Sequence, residues 1–538
     1  MKLTQVDAMY NHRSALRTLF GLVAAPLALA ACNGIVGLRD IDVVDGSGDA
    51  AADVRVDAAP DGGGALEGGV AHFLQSGASV PVNLKVDGDA DDTVTLTKNG
   101  PFSFARSHAA GKAYTVVVGD SNCWANQSAG TLPLTGLEVR CRVIGQSAST
   151  TDATTTSSSY GDIPGLPPLK FATDVAATVL VVFTAPLTRF EANTASMGHI
   201  AINVDGVVTD EAIHQPTAEG FNFSVSIVAL RSVGAGDHVI KAQFRSDTPN
   251  PPYVVGDKWG TQITHKNLDA VVLDSLQTFR SVGTADVATP FTANVSTHAL
   301  QPWGTASVTT VPNSVVLAGL NVPDVIVGVP TGNPPHSSGV MHLLVDGQTK
   351  TENIQHFIPG RRRNTAMLWA DRTNAAVAVT AGWRWFSKGS IDGTSATLTN
   401  ATGAPRLFAV SFDPSLEVPA PAVSSGQVYA SPGKSIDVMS VNVNLKTATK
   451  ALLFADILGT ISYNAPGGNG YAAILVGTTE IQRVHWQSNL DTQGHLIAAI
   501  ADLPAGASTI KVIMNDIGGG GSFITGGDPT VLQVLPLR

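Results

Sequence analysis

From residue 70 onwards apolar and polar side chains alternate in short bursts, with no long helical repeat. Val82-Asn83-Leu84-Lys85-Val86 is the plainest case: every second residue is apolar, as a strand with one buried face requires. With Thr93–Leu96, Phe102–Phe104, Tyr114–Val118 and Leu137–Cys141 it predicts five short strands separated by polar turns. Pro81 sits just ahead of the first, where a missing N–H is tolerated. Beyond residue 144 one order of elements recurs three times: a strand, a Val-Asp-Gly turn, an amphipathic strand and a closing strand. The first unit has Val179–Phe183, Val204-Asp205-Gly206, His238–Phe244 and Leu268–Leu273. The second has Val315–Leu320, Val345-Asp346-Gly347, Val377–Trp383 and Leu407–Phe412. The third has Ala451–Ile457, Leu475-Val476-Gly477, Thr509–Met514 and Val531–Leu535, its turn lacking the Asp.

The spacings support three copies. From the turn valine to the centre of the amphipathic strand (Val204 to Ile240, Val345 to Val379, Val476 to Ile510) is 36, 34 and 34 residues. The turn valines lie 141 and then 131 residues apart, too far for solenoid repeats, so each unit is a domain in size. Leu-x-Ala-Val-x-x-Asp recurs at Leu268–Asp274 and Leu407–Asp413. Turns at 234–238 and 504–508 precede the amphipathic strands of the first and third units, and about eight short strands fill each unit, which suggests antiparallel sandwiches of jelly-roll type.

Composition agrees. Gly (54) and Pro (30) are abundant and aromatics make up only 6%, as in an all-β chain of several domains. The formal charge is −10, and loss of Lys2, Arg13, Arg17 and Asp7 with a leader moves it to −12. Such a chain is a poor general binder of nucleic acid or anionic membrane.

The N-terminus carries its own signal. Lys2, Arg13 and Arg17 precede an uncharged stretch from Thr18 to Ala31, which is too short to span a bilayer and suits a signal-peptide core. Arg13 and Arg17 are not adjacent, which points to Sec rather than twin-arginine export. Leu29-Ala30-Ala31-Cys32 closes the stretch and resembles the lipobox of bacterial lipoproteins. The resemblance implies removal of 1–31, acylation of Cys32 and a lipid anchor, and Asn33 is compatible with delivery to the outer membrane. Residues 32–69 are rich in Gly, Ala and Asp and predict a disordered acidic tether. With Cys32 assigned, Cys123 and Cys141 remain, and an oxidising compartment predicts a disulfide between them.

Residues 70–144 then form a first small sandwich. LKVDGDADDTVTLTKNGPFSFARSHAAGKAYTVVV, followed by Cys123 and Cys141, resembles a small bacterial surface module, which implies an immunoglobulin-like spacer with no chemistry of its own. The run Ala-Gly-Asp-His-Val-Ile-Lys-Ala-Gln at 235–243 resembles a strand of C1q/TNF-like or carbohydrate-binding jelly rolls, a short match that speaks to fold. The expected order is therefore signal peptide 1–31, tether 32–69, disulfide-linked sandwich 70–144, and three sandwich repeats at 145–288, 289–417 and 418–538, displayed as a rod.

Candidate chemistry is sparse. Trp383 shares a repeat column with Phe244 and Met514, which predicts a core position, whereas Trp385 shares one with Ser246 and Asp516, a polar column that predicts exposure. Alternation nevertheless puts both tryptophans on one face. An exposed Trp385 beside Arg384 would suit stacking on a sugar or a partner contact, against a default of edge packing. Arg361, Arg362 and Arg363 follow Pro359-Gly360 and predict a basic loop, a local anion site if not merely solvated. Asp87, Asp89, Asp91 and Asp92 invite calcium, but the EF-hand Gly and Glu positions are missing and a turn is the better account. Gly119-Asp120-Ser121 has no downstream partner of a GDSL-type hydrolase. His336 and His342 form no metal-ligand pattern, so no metal, cofactor or catalytic residue is assigned.

The expectation is a non-enzymatic, membrane-anchored envelope lipoprotein presenting sandwiches for recognition, adhesion or scaffolding. Its partners would be the membrane through Cys32 and a surface glycan or protein, with oligomers formed through exposed flanks as in C1q/TNF-like proteins. One alternative is a carbohydrate-binding array using Trp385, Trp369 or Trp486. The other is a hydrolase with its site in the middle unit.

Overall fold

The computed structural model describes residues 66–538 except 191–195, 216–222, 251, 257, 260–261, 264, 288–290, 295–299, 329–336, 358–361, 374–375, 387–394, 400–404, 425–427, 463–468, 488–492, 519–521 and 525–529. Two compact units divide the chain, Met1–Asp61 and Gly62–Arg538, and all described residues belong to the second. The lipobox with Cys32, and the tether as far as residue 65, lie outside them.

The first sandwich packs two four-stranded sheets. One is β4 (Gly100–Ser103), β1 (Gly68–His72), β8 (Leu137–Cys141) and β6 (Cys123–Ala125); the other is β3 (Asp92–Leu96), β2 (Val80–Val86), β5 (Ala113–Val118) and β7 (Ala129–Thr131). In β2 the alternation holds residue by residue, with Val80, Val82, Leu84 and Val86 buried in the module core. One expectation needs correcting. β1 begins at Gly68, inside the predicted tether. Gly68 and Gly69 pair with Ser103 and Leu137, and the close packing needs glycine there, since a Cβ on either would lie 2.4 or 2.5 Å from the carbonyl oxygens of Phe102 or Leu137. The four aspartates follow the turn reading and have separate partners: Asp89 pairs with His108 and Lys112, Asp92 accepts the Arg106 N–H, and Asp91 lies near Lys85.

Cys123 and Cys141 face each other across β6 and β8 and form the predicted disulfide. The hairpin it closes docks on the rest of the fold. Trp124 Nε1 donates to Ser275 O (3.1 Å), Arg140 Nη1 to Asp274 O (3.1 Å) and Arg142 Nη1 to Leu537 O (3.2 Å).

The remaining chain is three jelly rolls, each with a framework of eight strands beside shorter ones. The first comprises β9 (Ile144–Ser149), β10 (Leu169–Thr173), β11 (Ala177–Phe190), β12 (Gly198–Val204), β13 (Val207–His214), β14 (Phe223–Val233), β15 (Gly236–Ser246) and β16 (Lys266–Val272). The second comprises β17 (Phe279–Asp286), β18 (Gln301–Val308), β19 (Ser314–Gly328), β20 (Ser337–Val345), β21 (Gln348–Phe357), β22 (Arg362–Thr373), β23 (Val377–Phe386) and β24 (Arg406–Phe412). The third comprises β25 (Ala422–Ser424), β26 (Ser435–Leu445), β27 (Thr449–Ser462), β28 (Asn469–Val476), β29 (Thr479–Gln487), β30 (Gln493–Leu503), β31 (Gly506–Gly518) and β32 (Thr530–Pro536). Each roll pairs its strands first-eighth-third-sixth in one sheet and second-seventh-fourth-fifth in the other. Equivalent strands therefore differ by eight in number. β17 pairs with β24, so the second roll starts at Phe279 rather than near 289.

The Val-Asp-Gly turn joins the fourth and fifth strands of each roll. Asp205 and Asp346 sit at φ +53° and +51°, each followed by a glycine at positive φ. In the third roll Gly477 (φ +60°) stands where the Asp would be. A tight hairpin needs positive φ there, which Asp tolerates and Gly takes freely.

These rolls do not form a rod. Each keeps its own core, yet residues on the outer side of the first sheets meet in a fourth core shared by all three. Leu180 and Val182, Leu317 and Phe408, and Leu452 and Phe454 are among its members. The contacts run head to tail: β14 of the first roll pairs with β29 of the third at Phe223–Trp486, and β30 of the third with β21 of the second at Gln355–Gln493. β22 of the second packs beside β13 of the first and closes the ring. The apolar flank that each roll would offer to another chain is covered by its sisters.

At one position the rolls differ in a compensating way. Val182, Gly319 and Phe454 are equivalent on the third strands, opposite Asp269, Phe408 and Gln533 on the eighth strands. A Cβ on Gly319 would lie 2.0 Å from the Phe408 ring, which therefore occupies the place that Val182 or Phe454 fills elsewhere. Gly319→Ala is expected to destabilise the fold by about 1–3 kcal/mol through overpacking. Adding Phe408→Leu should recover part of that loss, so that a urea-denaturation cycle shows the two substitutions coupled rather than additive. Replacing Cys123 and Cys141 by Ser should cost about 3 kcal/mol, as expected for a loop of this length, seen as a lower denaturation midpoint under non-reducing conditions only.

Candidate functional site

Where polar side chains enter the junctions between rolls they form a repeated pattern. Thr184, Asn321 and Asp456 are equivalent on the third strands, and all three are buried. Thr184 Oγ1 donates to Ala498 O of the third roll (3.2 Å). Asp456 lies against Thr351, Asn353 and the backbone of Leu368 in the second roll, and burial, which these neighbours oppose only partly, pushes its carboxyl up to about 8.

A second set clamps the sixth strand of the neighbouring roll. Leu230, Ala370 and Ile500 pair with Leu180, Leu317 and Leu452 in the same register. At such positions the backbone N–H and C=O turn off the sheet edge toward the next roll. At the junction of the first and third rolls Asp269 Oδ2 accepts Ile500 N–H (2.8 Å) and Gln146 Nε2 donates to Ile500 O (2.6 Å). Burial raises the Asp269 carboxyl to about 7. At the junction of the third and second rolls Gln533 Oε1 accepts Ala370 N–H (2.9 Å), and its amide donates to Ala370 O.

At the third junction the clamp position is Phe408, which has no polar atom, and a cleft of about 320 Å³ opens between the first and second rolls. Leu230 and Arg231 of β14 line it on one side; Val282 and Asp286 of β17, with Arg406 and Phe408 of β24, line it on the other. Arg231 donates to Leu230 O (3.0 Å) and Thr209 O (2.5 Å) and pairs with the buried Asp210. Among the described residues its buried Nε–H has no hydrogen-bond partner. Burial, against the attraction of Arg406, pushes the Asp210 carboxyl up to about 7. Arg406 Nε lies 3.4 Å from Asp286, a largely exposed pair and therefore a weak one.

The residues singled out from sequence lie elsewhere. Arg361 is outside the described residues, while Arg362 and Arg363 begin β22, opposite Ile326 and Val325. They are strand rather than loop residues because β19 continues past a bulge after Val322 and carries its partner with it. Trp385 lies on β23 opposite Gly339, in the other sheet of the same roll; its side chain, like that of Trp383, is outside the described residues. Its polar column is no surface: Ser246 and Asp516 are both buried. Phe244 and Met514, in the column of Trp383, are core residues as expected. Trp369 and Trp486 are buried, so neither offers a flat aromatic face. The cleft residues were missed because they come from strands far apart in sequence. One signal was available: aligning Leu268–Asp274 with Leu407–Asp413 sets Asp269 against Phe408.

No family model matches the chain, and no curated protein does. Among solved structures, PNGF-II is 9% identical over 85% of this chain and 99% of that one, with a TM-score of 0.23. A dimeric latent PorU from Porphyromonas gingivalis is 10% identical over 68% and 33%, with a TM-score of 0.18. A triple jelly-roll structure from an archaeal virus is 9% identical over 72% and 91%, with a TM-score of 0.14. Scores this low bear neither on fold nor on function, and the architecture rests on the strand pairing itself.

The buried carboxyls set a pH dependence. Asp456 is protonated in the folded state up to about pH 8, whereas in the unfolded chain it ionises near 3.8. The folded state therefore holds more protons across that window, and stability falls as pH rises through it. Asp456→Asn is expected to flatten this fall, gaining on wild type between pH 4 and pH 8 in urea titrations. An unchanged slope would place the titration elsewhere.

Proposed function

We propose that the protein is an exported lipoprotein, anchored in the bacterial envelope through Cys32, whose triple jelly roll serves recognition rather than catalysis. The observation that carries this reading is the run Leu29-Ala30-Ala31-Cys32 after an uncharged apolar stretch. The Cys123–Cys141 disulfide supports it, since such a bond persists in an oxidising compartment. Acylation at one cysteine with several chains would give a stable anchor. The acidic tether to residue 65 would hold the folded body off the membrane. The outer membrane is the favoured site, and a surface glycan or protein the favoured partner. The sugar-binding alternative loses two of its three tryptophans to the interior.

In a Gram-negative host the wild-type chain should incorporate labelled palmitate and sediment with membranes. Cys32→Ser should abolish the label and move the protein to the soluble fraction. Label retained by the variant, or none in wild type, would remove the basis of the anchoring proposal.

A further inference from the structure

We infer that the cleft between the first and second rolls is a binding site for a carboxylate that carries a short apolar chain. This deepens the recognition half of the proposed function and is independent of the anchor. The protein itself shows what fits. At the junction of the first and third rolls, the carboxylate of Asp269 accepts the edge N–H of Ile500. Leu230 is the equivalent edge residue in the cleft, and its carbonyl is already taken by Arg231. An acceptor is therefore wanted there rather than a donor. The residue that would supply it, Phe408, is turned into the shared core over Gly319.

Two guanidinium groups line the same space, and among the described residues the buried Nε–H of Arg231 has no hydrogen-bond partner. Asp210 pairs with the Nη2 end of Arg231 and leaves its Nε–H unused. Arg406 pairs with the exposed Asp286 and also attracts the buried Asp210. A carboxylate placed beside Leu230 N–H would form charge-assisted hydrogen bonds with either arginine. Val228, Leu230 and Phe408 supply an apolar wall for the chain that follows it. The volume admits a small ligand at the lower end of what such pockets hold. At the sister junctions the protein's own Asp269 and Gln533 occupy the corresponding place.

The test uses the purified full chain carrying Cys32→Ser, with hexanoate, hexan-1-ol and hexylamine as probes in isothermal titration. Saturable hexanoate binding is expected, about tenfold or more tighter than either other probe. Arg406→Gln should weaken hexanoate at least about fivefold and leave hexanol unaffected. Thr284→Trp, an exposed substitution on the cleft rim, should abolish hexanoate binding without lowering the melting temperature. Hexanol binding as tightly as hexanoate would overturn the carboxylate assignment. Hexanoate binding that survives Thr284→Trp, or no hexanoate binding, would overturn the cleft as its site. Neither outcome touches the palmitate and fractionation result, so failure of this inference and failure of the anchoring proposal are separately visible.

Discussion

Everything in the triple jelly roll depends on burying the outer face of three sheets against one another. A sandwich normally hides one face of each sheet and leaves the other to water. Here the third strand of each roll is apolar on both sides. Val179, Val181 and Phe183 face their own core, while Leu180 and Val182 face the shared one. Left alone, each roll would expose a contiguous apolar flank of the kind that drives association. Three linked copies meet that need within one chain, and the head-to-tail contacts also cover the edge strands β14, β22 and β30.

Closing such a ring brings polar groups into the interior, and each must be met or neutralised. The rolls solve this with side chains that reach across to a neighbour's edge backbone, Asp269 to Ile500 and Gln533 to Ala370. The second roll breaks the rule. Its third strand has Gly319 where its sisters have Val182 and Phe454, and Phe408 fills the space. A residue filling the core cannot also clamp the neighbour. The cleft is thus a consequence of packing around Gly319, at the junction where the clamp position is apolar.

Some of this was legible in sequence for plain physical reasons. The Val-Asp-Gly turns mark hairpins because only a few residues tolerate positive φ, and the same restriction explains why Gly477 replaces the Asp without loss of the turn. The alternation in Val80–Val86 reads directly as one buried face. Other inferences failed where polarity was equated with exposure. Ser246 and Asp516 are polar and buried, because the column they occupy is covered in the folded chain. Arg362 and Arg363 follow a Pro-Gly pair yet extend a strand, because a long partner, β19, pairs with them past its bulge.

Sequence alone determined the all-β class, the three copies and the hairpin turns, each of which follows from local stereochemistry or from spacing. The cysteine pairing was an expectation that set Cys32 aside on its resemblance to a lipobox, and the structure shows the bond. Only the tertiary structure decided that the copies surround one shared core, that Trp369 and Trp486 are interior, and that Arg231, Arg406 and Phe408 border one cleft. Those facts depend on which faces meet. A continuous apolar run announces that both sides of a strand will be buried; the surface that buries the second side lies more than a hundred residues away in the chain, beyond the reach of any local pattern.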